Sequence, residues 1–93
     1  MPFGRRPNPV FSAEYAYARE VLLRARRRAG LSQRKLAHGL GKANSHVTRI
    51  ERGQRRIDLL EFHHIARVLG VDPVALFAEL VAELSKREAS GAE

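Results

Sequence analysis

The sequence predicts an all-α fold of five short helices, and three observations carry that reading. Apolar residues recur at helical spacing, and no segment alternates with the period of two that a half-buried strand requires. Gly30, Gly41, Gly53 and Gly70 each close one apolar-periodic segment, where a helix ends on a left-handed residue that glycine adopts without steric cost. Ser32, Asp58 and Asp72 stand where N-caps belong. Each is bracketed by an apolar pair: Leu31 with Leu36, Ile57 with Phe62, Val71 with Leu76.

Helix one spans about 12–29, with Tyr15, Ala18, Val21, Leu22, Ala25 and Ala29 on one face. Gly30 and the apolar Leu31 end it. Helix two covers 33–40 behind the Ser32 cap and carries Leu36, Ala37 and Leu40. Gly39 lies inside it, at a cost of about 1 kcal/mol against alanine. Helix three covers 44–52 with Val47 and Ile50 inward; Ala43 offers no capping side chain, so its first residue stays open. Helix four covers 59–69, carrying Leu59, Phe62, Ile65, Ala66 and Leu69, with Asp58 and Glu61 as a capping-box-like pair. Helix five covers 73–88 and opens on Pro73, where a missing N–H costs nothing. Residues 1–11, with Pro2, Pro7 and Pro9, read as a flexible N-terminal arm. Residues 12–88 read as one domain, and 89–93 as a disordered tail.

Composition narrows the function. Ninety-three residues suffice for one small core. The chain has no cysteine, which excludes a disulfide scaffold or thiolate zinc site and fits a reducing cytoplasm. No apolar run approaches the ~20 residues that span a bilayer, and the first eleven residues lack the apolar stretch of a secretory signal. The net charge of +7 is unevenly placed. Residues 1–56 hold 14 basic and 3 acidic side chains; residues 57–93 hold 3 basic and 7 acidic. Cation concentrated in one half points to a polyanion, foremost nucleic acid. His63 and His64 are adjacent and project about 100° apart, and His38 and His46 lie on different helices, so no metal site is expected. No cofactor motif or catalytic constellation is present, and the chain reads as a non-enzyme.

Helices two and three are very short and joined by a tight turn at Gly41. Four positions make that pair specific. Ala37 permits a close crossing, Gly41 supplies positive φ, and Val47 and Ile50 bury the second helix. With Leu31-Ser32-Gln33, Leu36-Ala37, Leu40-Gly41, Ile50-Glu51-x-Gly53 and Ala66-x-x-Leu69-Gly70-Val71, the chain resembles the Cro/C1-type (XRE-like) helix-turn-helix family over about 14–77. The resemblance implies a compact five-helix, lambda repressor-like bundle. It also implies a transcriptional regulator that binds a near-palindromic operator as a homodimer, with helix three in the major groove of double-stranded DNA.

Carried over by register, the base-reading positions fall on Asn44, Ser45, Thr48 and Arg49, side chains suited to base edges. The family's phosphate contacts fall on Gln33 and on Arg52, Arg55 and Arg56, with Gln54 in the same segment. Arg34 and Lys35 join them on separate grounds. Cations in the first turn of a helix oppose its dipole, which suggests an external anion. Lys42 stands where the family commonly has valine or isoleucine; it either loosens the turn or reaches a phosphate. Together with Ala43 and Gly39 it predicts a recognition unit somewhat loose without DNA. Arg26, seven residues before Gln33, falls where the family has an arginine paired with the acid that is here Glu51. His46 either faces DNA or packs at the helix start. The other helix-one arginines, including Arg19, are expected to be mostly solvated.

Helix five carries Val74, Leu76, Phe77, Leu80, Val81 and Leu84, more apolar surface than one core stripe uses. The expected dimer contact is Leu80, Val81 and Leu84. The roles that fit are phage- or plasmid-type repressor, restriction–modification controller, and antitoxin repressing its own operon. The alternative class is an antitoxin-type interaction module whose main partner is a toxin protein. RNA binding is disfavoured because no stacking aromatics accompany the basic patch.

Overall fold

Residues 12–90 are described by a computed structural model of the chain. The predicted arm at 1–11, and positions 91–93 of the predicted tail, lie outside them. Five helices follow in order: α1 (Ala13–Arg28), α2 (Gln33–Leu40), α3 (Asn44–Glu51), α4 (Leu59–Leu69) and α5 (Pro73–Ser90). There is no strand among the described residues. α5 runs two residues past its predicted end at 88.

The caps explain the boundaries. Ser12 Oγ accepts from Tyr15 N at 3.0 Å, Ser32 Oγ from Lys35 N at 3.1 Å, and Asp58 Oδ1 from Glu61 N at 2.8 Å. The Glu61 carboxylate does not complete a capping box; it turns instead toward α3. Ala43 makes no side-chain cap, and α3 begins at Asn44. At the turn between α2 and α3, Gly41 has φ +71°, and Lys42 N donates to Ala37 O at 2.9 Å, closing the helix end.

Val21, Leu22, Ala25, Leu36, Ala37, Val47, Ile65, Ala66, Leu69 and Leu76 form the buried core. α2 packs on α3 and α4, α1 on α3 and α5, and α4 on α5. Ion pairs lace the α1–α5 seam. Arg28 bonds both Glu79 oxygens at 3.0 and 3.1 Å, and Arg24 approaches Glu83 at 3.7 Å. The hydrogen bond from Arg87, together with nearby Lys86 and Arg24, holds the Glu83 carboxyl below its ordinary pKa.

Gly39, a cost to α2 by propensity alone, faces a side chain of α4. A Cβ there would lie 2.6 Å from Val68 Cγ1 and 3.2 Å from Cγ2. The glycine is the seat on which α4 approaches α2, and its propensity cost is repaid in packing. Gly39→Ala should therefore destabilise by ~1–3 kcal/mol, opposite in sign to the ~1 kcal/mol that helix propensity alone would add. Thermal melts of Gly39→Ala and of Gly39→Ala with Val68→Ala check this. The second change should recover most of the loss if the valine is the obstacle.

The apolar surplus of α5 is distributed differently from the expected Leu80–Val81–Leu84 contact. Leu80 is half-buried against the core, and half-buried Leu84 sits beside Ser12, Tyr15 and Ala18. The exposed stripe is Val74, Phe77 and Val81, at 75%, 50% and 44%. Leu59, expected in the core, is 85% exposed because it occupies the first turn of α4 on its outer side. Phe77 packs edge-on against Phe62, 5.9 Å between centroids. Beside it runs an apolar groove of about 460 Å³ lined by Leu22, Ile57, Leu59, Phe62, Phe77 and Leu80, among others.

Candidate nucleic-acid interface

Burial of Val47 and Ile50 fixes how α3 is rotated. With 100° per residue, positions 45, 49 and 52 then face away from the core, while 44 and 48 lie toward one flank and 46 toward the other. Asn44, Ser45, Arg49 and Arg52 are accordingly exposed, and His46 and Thr48 are half-buried.

A hydrogen-bonded frame holds this helix against α1 and α2. Arg26 Nε donates to Glu51 Oε2 at 2.6 Å and its Nη2 to Oε1 at 3.0 Å. Both side chains are nearly buried, 10% and 9% exposed. Arg26 Nη1 also donates to Leu31 O at 2.7 Å. Gln33 Nε2 donates to Glu51 Oε1 at 2.7 Å, and Gln33 Oε1 lies 3.2 Å from the Thr48 hydroxyl. That hydroxyl also lies 3.2 Å from Asn44 O, so it is engaged within the protein. Two residues expected to touch DNA, Gln33 and Thr48, are thus also frame members. The family register pairs Arg26 with Glu51; no local signal assigns Gln33 its bridging place.

The other side of α3 is held by Glu61. Its Oε2 lies 2.5 Å from His46 Nε2 and 3.4 Å from Arg55 Nη2. His46, left open between DNA and packing, therefore packs against α4.

Cations surround the outward face of α3. Arg34 and Lys35 open α2, Lys42 lies in the turn, and Arg52, Arg55 and Arg56 follow α3; all are exposed. Among the described residues, Arg55 is the one of these that bonds an acid. Between the starts of α2 and α3 lies a shallow depression lined by Arg26, Ser32, Gln33, Arg34 and Asn44. A polar helix face with donors and acceptors, rimmed by exposed cations and held by a hydrogen-bonded frame, suits the edge of a base pair and its flanking phosphates.

Two residues of α1 were missed by sequence reasoning. Tyr15 Oη accepts from Ile57 N at 3.1 Å, and Arg19 Nη1 donates to Glu51 O at 2.7 Å. They are four apart on one helix face, a spacing that reads equally as core stripe and solvated charge.

Comparison with known proteins agrees with this geometry. A helix-turn-helix family model matches residues 22–76. An XRE-family like protein from Pseudomonas syringae pv. tomato str. DC3000 superposes with TM-score 0.70 at 41% identity, covering 75% of this chain and 85% of that one. The wild-type restriction-modification controller protein C.Esp1396I superposes with TM-score 0.72 at 25% identity, covering 78% and 96%. The tetramer of that controller in complex with its natural 35 base-pair operator gives TM-score 0.71 over the same shares at the same identity. Among curated proteins none matches.

Proposed function

Since the chain belongs to the Cro/C1-type helix-turn-helix family of DNA-binding transcriptional regulators, we propose that it binds a near-palindromic operator as a homodimer. It acts in the cytoplasm, with α3 in the major groove of double-stranded DNA. The observation that carries this is the outward face of α3, polar at Asn44, Ser45 and Arg49 and ringed by exposed cations. Asn44 suits adenine and Arg49 suits guanine, each by a bidentate pair. Thr48, its hydroxyl engaged with Gln33 or Asn44, offers its methyl group to thymine. Arg34, Lys35, Lys42, Arg52, Arg55 and Arg56 hold phosphates. Gln33 keeps one free Nε2 hydrogen for the same purpose.

The dimer forms through the exposed stripe of α5, Val74, Phe77 and Val81, with Leu59 alongside and Leu80 and Leu84 at its flank. This places both α3 helices on one DNA face. Of the regulator roles open to the sequence, that of a restriction–modification controller is the one supported by the likeness to C.Esp1396I and its operator complex.

Base readers and phosphate holders should respond differently to substitution. Arg49→Ala should relax preference at one base pair per half-site by ~1–3 kcal/mol, with little loss on unrelated DNA. Arg56→Ala should weaken all duplexes about equally. It should also shallow the slope of log K against log salt by ~0.9 per lost phosphate contact, doubled across a dimer. Binding measured at several salt concentrations on point-substituted duplexes decides it. Unchanged base preference in Arg49→Ala would make Arg49 a phosphate contact and shift the register on α3.

A further inference from the structure

We propose that Tyr15 and Arg19 of α1 form a clamp that positions the phosphate-holding turn 52–56, an inference that rests on the DNA-binding reading above. The last four carbonyls of a helix have no partner within it, and the accounting for α3 is complete only with Arg19. Arg52 N donates to Thr48 O at 3.0 Å, Gly53 N to Ile50 O at 3.1 Å, and Gln54 N to Arg49 O at 2.8 Å. The fourth carbonyl, that of Glu51, accepts from Arg19 Nη1 at 2.7 Å. A guanidinium at this end also complements the negative pole of the helix.

Gly53 lies directly on that guanidinium. It is buried with φ +78°, and a Cβ there would stand 2.9 Å from Arg19 Cζ and 3.1 Å from Nε. Arg19 Nε is itself buried without a partner among the described residues. The far end of the turn is tied to the same helix face, because Ile57 N donates to Tyr15 Oη at 3.1 Å. One helical turn of α1 therefore fixes both ends of the segment that carries Arg52, Arg55 and Arg56. Neither clamp residue needs to touch DNA. Each spares the turn the cost of being ordered when the phosphates arrive.

The test measures affinity against salt for wild type, Arg19→Met, Arg19→Lys and Tyr15→Phe, well below their melting temperatures. The DNA is a duplex selected by the wild-type protein and, separately, an unrelated duplex. Arg19→Met should bind both about tenfold more weakly, the scale of ordering one or two long side chains. Tyr15→Phe should do so by a few-fold, and Arg19→Lys should recover much of the loss. The salt slope should stay at the wild-type value in all three, because the same phosphates are neutralised. Amide exchange at Gly53, Gln54 and Ile57 should quicken relative to Lys42 and Val71, which lie at other helix ends.

A slope that falls with affinity would make Arg19 a phosphate contact and overturn the clamp. So would affinity equal to wild type in Arg19→Met and Tyr15→Phe, or unaltered exchange at all three amides. If Arg19→Met does not fold, Tyr15→Phe and Arg19→Lys carry the test. Failure of the wild-type protein to bind any duplex would remove the DNA reading itself. The exchange rates would then still report whether the turn is clamped, so the two failures are distinguishable.

Discussion

Glu51→Ala should lower folding stability by ~3–5 kcal/mol, the cost of leaving one partner of a buried ion pair unmatched. Glu51 accepts from Arg26 twice and from Gln33 once. Its removal strands the Arg26 Nε and Nη2 donors in a pocket where the arginine is 8% exposed. It also frees the Gln33 amide that orients Thr48, so α3 loses its side-chain ties to Arg26 and Gln33 together and keeps the backbone bond from Arg19 to the carbonyl of residue 51. At this chain length a loss of that size moves the melting temperature by tens of degrees, at about 4–8 °C per kcal/mol. Denaturant titration followed by circular dichroism measures it. Glu51→Gln should fall between, since its amide oxygen still accepts from Arg26. A Glu51→Ala protein melting with wild type would mean that the pair does not hold the fold.

If the chain pairs through α5 as proposed, Val81→Glu should give monomers at micromolar concentration while leaving helix content intact. Val81 is 44% exposed, so the substitution should largely spare the fold of a single chain. In a two-fold contact it places two carboxylates in one apolar interface. At hot-spot costs of ~2–4 kcal/mol per copy, counted twice in a two-fold contact, dimer affinity falls by about a thousandfold or more. Operator affinity should fall with it, because each half-site is then bound alone. Leu80→Glu is a different experiment. Leu80 packs against the core, so it should destabilise the monomer as well. Sedimentation equilibrium on both variants separates the two effects, and an unchanged Val81→Glu dimer would place the interface elsewhere.

The helices were legible because their ends are written in local chemistry. Ser32 and Asp58 cap where a short oxygen-bearing side chain precedes an apolar run, and Gly41 closes α2 where φ is positive. Such signals depend on residues within a turn of each other. Arg26 and Glu51 were legible only through the family register, for nothing local joins residues so far apart in sequence. Gln33 shows the limit of that register. The register makes it a phosphate contact, yet its amide is also the link between Glu51 and Thr48.

What stayed hidden depends on rotation and close approach. Gly39 looked like a defect because propensity counts only the helix it belongs to, and the Val68 side chain that requires it comes from α4. Leu80 and Val81 are neighbours with the same hydropathy, but 100° of rotation sends one toward the core and the other outward. Arg19 was one arginine among five on α1, and only the path of the chain after α3 brings the Glu51 carbonyl and Gly53 to it.

On the proposed reading, this chain recognises a two-fold-symmetric DNA sequence with a pair of α3 helices. Selection from a pool of random duplexes with the wild-type protein, at moderate salt, tests it most directly. One inverted-repeat motif should be enriched, with half-site centres about one helical turn apart, ~34–36 Å along the duplex. A pool that stays random, though retained on the protein, would contradict it and reduce the basic face to non-specific polyanion binding.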